Sequence, residues 1–208
     1  MAVLVPGTSV SSGAVALLTR RRPKPGERRV QIMQTLAAML ERPGGERVTT
    51  AALAAELDVS EAALYRHFAS KAQMLEGLID FIEQSVFVEV DRIVGHEVAP
   101  RERAVRIVAA LMQFAEKNAG MARVMVGDAL VYENERLQNR MNQFFDRIES
   151  TLCKVLLEDA TGDAGSLDAQ VRSGVLTAFV AGRLQRFTRS GFRRLPTEHL
   201  QLAIDRIV

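Results

Sequence analysis

Apolar side chains recur along this chain at helical spacing over most of its length. Between 27 and 41, Ile32, Leu36, Met39 and Leu40 fall at i, i+4, i+7 and i+8, the stripe of a helix with one buried face. Arg42-Pro43-Gly44-Gly45 ends it, because proline and paired glycines do not continue a helix cheaply. From 71 to 94 a continuous face runs through Leu75, Leu78, Ile79, Ile82, Val86, Val90 and Ile93. The helix expected over 101–118 carries Val105, Val108, Met112 and Ala115 on one stripe and Ile107, Leu111 and Phe114 on another, so both faces should be covered. Asn118-Ala119-Gly120 is expected to end it. A short apolar stretch, 121–131, precedes a helix over 134–159 whose stripe runs from Leu137 through Met141, Phe144, Ile148 and Leu152 to Val155. A loop at 161–165, a helix over 166–190 and a last one over 197–208 complete an all-α pattern.

The stretch 49–71 breaks this rhythm in an informative way. Leu53, Ala54 and Leu57 keep helical spacing, Asp58-Val59 interrupts it, and Leu64 and Phe68 resume it four apart. Two short helices around a tight turn form a helix-turn-helix. Ser60 stands at the N-cap of the second, Glu61 suits the positive end of its dipole, and Ser70 with Gln73 makes a capping box for the next helix. Ser60, Ala62, Ala63, Arg66 and His67 are placed to meet base edges, the alanines allowing deep entry into a groove. Thr49, Thr50, Tyr65 and Lys71 are candidates for phosphates, with capping as the alternative for one threonine. Arg28 and Arg29 are further candidates for the backbone.

Composition sharpens this reading through its distribution. Net charge is only +2, but residues 20–71 hold ten Lys/Arg against six Asp/Glu, or +4, while 72–208 hold seventeen against nineteen, or −2. The basic surplus sits at the end that would meet nucleic acid. Residues 1–26 lack periodicity and finish in Arg20-Arg21-Arg22-Pro23-Lys24-Pro25-Gly26, which reads as a disordered basic arm; positive charge after the apolar run disfavours a signal peptide. The single Cys153 excludes an internal disulfide framework and fits a cytoplasmic setting, and no apolar run approaches membrane-spanning length.

Catalysis finds no support. His67, His96 and His199 lie apart from any metal-spaced partner, and Gly44-Gly45 precedes no Lys-Ser/Thr pair, so neither a metal, a cofactor nor an enzymatic activity is expected. In 166–190, Gly174, Ala178, Ala181 and Gly182 interleave with Val171, Val175, Phe179 and Val180. Apolar surface there wraps too far for a helix with one wet face. Either this helix is internal to a monomer, or Val171, Val175, Ala178, Phe179 and Gly182 pair with a second copy; a reader needing two half-sites favours the homodimer.

The run from Val59 to Phe68, followed by Ser70-Lys71, resembles the signature of TetR-type regulators. The resemblance implies an N-terminal three-helix DNA-binding domain over 27–70, a helical body over 71–208 for dimerisation and effector binding, and a four-helix interface built from 166–190 and 197–208. Residues 60–71, 78–85, 115–125 and 136–149 are further similar to the nucleoid-occlusion factors of that superfamily. Those bind near-palindromic double-stranded DNA as dimers at the nucleoid, bind the division protein FtsZ and disrupt its polymers, blocking septa over the chromosome. The FtsZ tail docks there on the fourth and fifth helices, and the matching positions are Phe81, Lys117 and Asn118. Three positions depart from the pattern: Glu89 stands where an arginine is expected, and Ala110 and Gln113 replace leucine and glycine. The alternative is a transcriptional repressor released by a small molecule, with Met112, Phe114, Met121, Met125, Met141 and Phe144 lining a pocket; plain core is the competing reading of that set.

Overall fold

The computed structural model describes residues 26–207 apart from 44, 132 and 134. The basic arm, Gly26 excepted, therefore lies outside the described residues. Every regular element among the described residues is helical: α1 (Glu27–Glu41), α2 (Thr50–Glu56), α3 (Glu61–Tyr65), α4 (Lys71–Val94), α5 (Pro100–Lys117), α6 (Ala119–Met125), α7 (Glu135–Leu157), α8 (Gly162–Arg189) and α9 (Leu200–Ile204), with 3-10 turns at Gly45–Arg47 and Asp128–Leu130.

Side-chain hydroxyls set where α2, α3 and α4 begin. Thr49 Oγ1 accepts from the Ala52 N–H at 3.1 Å, Ser60 Oγ from Ala63 at 3.3 Å and Ser70 Oγ from Gln73 at 3.1 Å, each satisfying an amide that a helix start leaves open. Gln73 reaches back to the Ala69 N–H, one residue outside the cap. The turn between α2 and α3 is a Schellman closure: Val59 N–H bonds to Ala54 O, Asp58 N–H to Ala55 O, and Asp58 takes the left-handed conformation at φ 53°. Aspartate is among the few residues that adopt it at small cost.

One apolar core runs from Ile32 to Ile204 without interruption. α4 threads it, burying Met74, Leu75, Leu78, Ile79, Ile82, Val86, Phe87, Val90 and Ile93. The most extensive helix pairing is α7 with α8. They run antiparallel, since Gln138, Met141 and Phe145 share a cleft with Ala181, Gly182 and Gln185, while Cys153 and Lys154 meet Gln170 and Ser173. Arg103 on α5 clamps the far end, bonding to Val94 O and to Glu158 beyond α7; the carboxylate holds its guanidinium pKa above the usual value.

Three expectations need correction. Asn118 does end α5, as its C-cap, but Gly120 lies inside α6: α6 crosses α1 so closely that a Cβ there would sit 2.2 Å from Ala37 O. The loop at 161–165 is mostly the first turn of α8, which starts at Gly162 with Asp163 at its positive end. The terminal helix is only Leu200–Ile204 and packs against α5, shorter than the expected 197–208; α7 is the helix most extensively paired with α8. Gly120→Ala should destabilise the protein by about 1–3 kcal/mol, the usual cost of overpacking, read as a lowered urea midpoint at unchanged m-value.

Candidate nucleic-acid interface

α3 is only five residues long and is held in place from both ends. Thr50 Oγ1 donates to Glu61 Oε2 at 2.6 Å, locking the start of α3 to the start of α2. At the other end, Arg29 Nη1 donates to His67 O at 2.7 Å while its guanidinium stacks 4.0 Å from the Phe68 ring centroid. Arg29 is thereby a staple between α1 and the reader helix rather than a free cation. Leu64 and Phe68 anchor the underside, and Ser60, Ala62, Tyr65 and Arg66 are exposed with Ala63 and His67 half-covered, as a helix presented to a groove requires. Arg28 is engaged locally, donating to Gln31 Oε1 at 2.9 Å.

Beside α3 lies a hollow of about 550 Å³ lined by Arg47, Thr49, Thr50, Tyr65 and Lys71, with Glu133 on its far wall. Four of the expected backbone contacts thus share one surface, and Arg47 joins them, a residue the sequence reading passed over although it stands two before Thr49. Glu133 is the larger surprise. Its carboxylate pairs with Lys71 Nζ at 2.8 Å, both side chains mostly covered at 26% and 14% exposure. Nothing local in the sequence signals a contact spanning sixty residues. A phosphate arriving at Lys71 must compete with this carboxylate.

Glu133 is the first rung of a ladder. Higher on α4, Glu76 pairs with Arg136, and Asp80 and Glu83 both accept from Arg140, at 2.6 Å and 2.9 Å, which raises the Arg140 pKa. α4 and α7 therefore run side by side in the same direction, away from the reader.

The remaining candidate positions fall on two faces. Phe81 is 46% exposed with its ring 6.2 Å from Phe114; Lys117 is exposed at the end of α5, and Asn118 donates from Nδ2 to Phe114 O at 2.8 Å. Val88, one stripe up α4, is 66% exposed. On α8, Val171, Val175, Ala178 and Gly182 are exposed and Phe179 is half-covered, forming one helical stripe left open among the described residues. Among the described residues no group of three or more His, Cys, Asp or Glu side chains could hold a metal ion.

Residues 32–78 match the family described as bacterial regulatory proteins, tetR family, and residues 101–206 match an SlmA-like family described as tetracyclin repressor-like, C-terminal domain. The chain is 48% identical over 174 residues to the nucleoid occlusion factor SlmA of Idiomarina loihiensis, covering 83% of this chain and 89% of that protein. It is 48% identical to SlmA of Shewanella loihica, covering 83% and 88%, and 47% identical to SlmA of Shewanella oneidensis, again covering 83% and 88%. Among solved structures, the fold is similar to the transcriptional regulator FadR from Bacillus subtilis (TM-score 0.66, 13% identity, 86% of this chain and 97% of that one). It is also similar to the TetR family regulator PfmR from Thermus thermophilus (TM-score 0.65, 19% identity, 85% and 93%).

Glu133→Gln should free Lys71 for phosphate, tightening binding to every duplex and steepening the salt dependence by about 0.9 in slope per freed contact. Fluorescence anisotropy across a salt titration measures both, and Lys71→Ala in the same background should abolish the gain.

Proposed function

The chain belongs to the SlmA family of nucleoid occlusion factors, within the TetR-type regulators, and we propose that it acts as a DNA-bound homodimer that binds FtsZ and disrupts its polymers over the nucleoid. The helix-turn-helix units of two copies, with Thr49 and Lys71 on phosphates and Ala62, Ala63 and Arg66 nearest the bases, enter adjacent major grooves about one helical turn apart. The unpaired stripe through Val171, Val175, Ala178, Phe179 and Gly182 supports the dimer, because small and β-branched residues at that spacing let a second helix approach closely.

The observation that carries the FtsZ reading is that α4 bears both surfaces. Lys71 stands at its first residue and exposed Phe81 ten residues on, about 15 Å along the same rigid rod. Phe81 and Val88 expose apolar surface on α4, the Phe81 ring lying against Phe114 of α5, and Lys117 adds an exposed cation at the end of α5, a combination that suits a peptide tail carrying apolar and acidic residues. Glu89 does not spoil it. Arg92 accounts for its charge, donating from Nε at 2.9 Å and holding the carboxyl below the usual carboxylate range, and the same guanidinium reaches His96 at 3.0 Å.

The ligand-released repressor loses its expected lining. Met112, Met121 and Phe144 are packed in the core, and Met125 and Met141 floor an open cleft of about 460 Å³ beside the α8 stripe. Among the described residues no helix is long and apolar enough to cross a membrane.

FtsZ sedimentation with and without a cognate duplex tests the proposal. The pelleted fraction should fall with protein present, and most strongly with DNA loaded; filaments indifferent to the DNA-bound protein would rule the reading out. Phe81→Ala should weaken binding of the FtsZ tail peptide by about tenfold or more while leaving duplex affinity unchanged, as expected for a truncated aromatic anchor.

A further inference from the structure

We infer that the C-terminal end of α8 is a second DNA-contacting surface, on which Arg186, Arg189, Arg193 and Arg194 meet phosphates of the duplex between the two reading heads. The inference rests on the DNA-bound dimer proposed above. Residues 183–194 hold five arginines and no carboxylate. Residues 72–208 have seventeen cations and nineteen anions; without those twelve positions the count is twelve against nineteen, or −7, so this is a segregated patch on an acidic body.

Elsewhere on the body arginines find carboxylates: Arg92 with Glu89, Arg103 with Glu158, Arg106 with Glu102, Arg140 with Glu83, Arg172 with Asp168. Arg186, Arg189 and Arg194 are exposed and have no acidic partner among the described residues. Arg183 is engaged, donating to Glu198 O at 2.8 Å. The helix dipole favours a cation in the last turn and accounts for Arg186 and Arg189 individually. It does not account for Arg193 and Arg194 beyond the helix end.

Nor is this a frayed terminus. Gly191 at φ 63° closes α8 with Gly191 N–H on Thr188 O and Phe192 N–H on Phe187 O, and the Phe187 and Phe192 rings pack at 5.1 Å. Ser190 Oγ then accepts from the amides of Arg193, at 3.1 Å, and Arg194, at 2.9 Å. The cations are displayed on a fixed turn.

Its position decides the partner. α8 runs antiparallel to α7 and so returns toward the reader. Thr188 bonds to Asp128 at 3.0 Å, just before the segment in which Glu133 grips Lys71, and Phe192 lies under Arg123, which donates to Arg42 O in the α1–α2 connection. The arginines therefore stand at the level of Lys71. They also continue the exposed stripe 171, 175, 178, 182 to 186 and 189, so dimerisation brings two such sets together. Like charges gathered at one axis call for a polyanion there, and the duplex is the polyanion that passes below it.

The test compares wild type with the triple variant Arg186→Gln, Arg189→Gln, Arg194→Gln on a duplex of about 30 base pairs, enough for two half-sites. Sedimentation first checks that the variant is still a dimer, and an all-lysine version of the three positions should retain binding, since lysine keeps the charge. Expected are weaker binding to every sequence, a salt slope flatter by about five for six lost contacts, and loss of phosphate-ethylation interference between the half-sites only. An unchanged slope and interference pattern would overturn the inference, as would unchanged DNA binding with lost binding of an acidic FtsZ tail peptide. Wild-type protein that binds no duplex at low salt would instead remove the DNA-binding reading beneath it.

Discussion

α4 has to satisfy two neighbours with one straight rod. Its buried stripe from Met74 to Ile93 belongs to a single continuous core, so the part that supports α1 and α3 cannot shift without the part that packs on α5 and α7. Close-packed interiors do not deform smoothly, which makes α4 a lever rather than a tether. The ion pairs along its flank add direction. Individually, half-exposed pairs such as Arg140 with Asp80 and Glu83 contribute little stability. Together with Lys71–Glu133 and Glu76–Arg136 they fix the register of α7 on α4, and α7 carries α8 with it.

The periodic parts of this architecture were open to reading from the chain. α1 and α4 fall on the expected residues, and α5 and α7 within one or two, because long amphipathic stripes and capping hydroxyls are local signals. The misses differ in cause. Gly120 looks like a helix terminator until α1 is seen pressing on it, a tertiary contact that overrides a residue preference. Gly162 and Gly165 look like a loop, but the neighbour that Gly165 meets is the local Ala160, in the tight return to α8. At the interface, the exposed face of α3 follows from the spacing of Leu64 and Phe68. The tie of Lys71 to Glu133 and the stapling of α3 by Arg29 do not, because long-range side-chain pairing leaves no periodic trace.

Charge was the least well read, for a different reason. Summing over 72–208 gives a mildly acidic body and averages away the acid-free run 183–194. Fields act over about a Debye length, roughly 8–10 Å at physiological salt, so the useful window for counting is a helix end and not a domain. On that scale the chain alternates: basic at the reader, acidic along the α4 flank that α7 covers, basic again where α8 returns.

Placing Lys71 and Phe81 on one helix has a thermodynamic corollary. If a phosphate draws Lys71 away from Glu133, it removes the lowest rung between α4 and α7, at the head of the helix that carries Phe81. Coupling between two ligands on one two-state element is reciprocal: the factor by which DNA strengthens binding at Phe81 is the factor by which a ligand held there strengthens DNA binding. Under the proposed function, any partner that binds the DNA-loaded protein more tightly must by the same factor hold that protein more tightly on DNA.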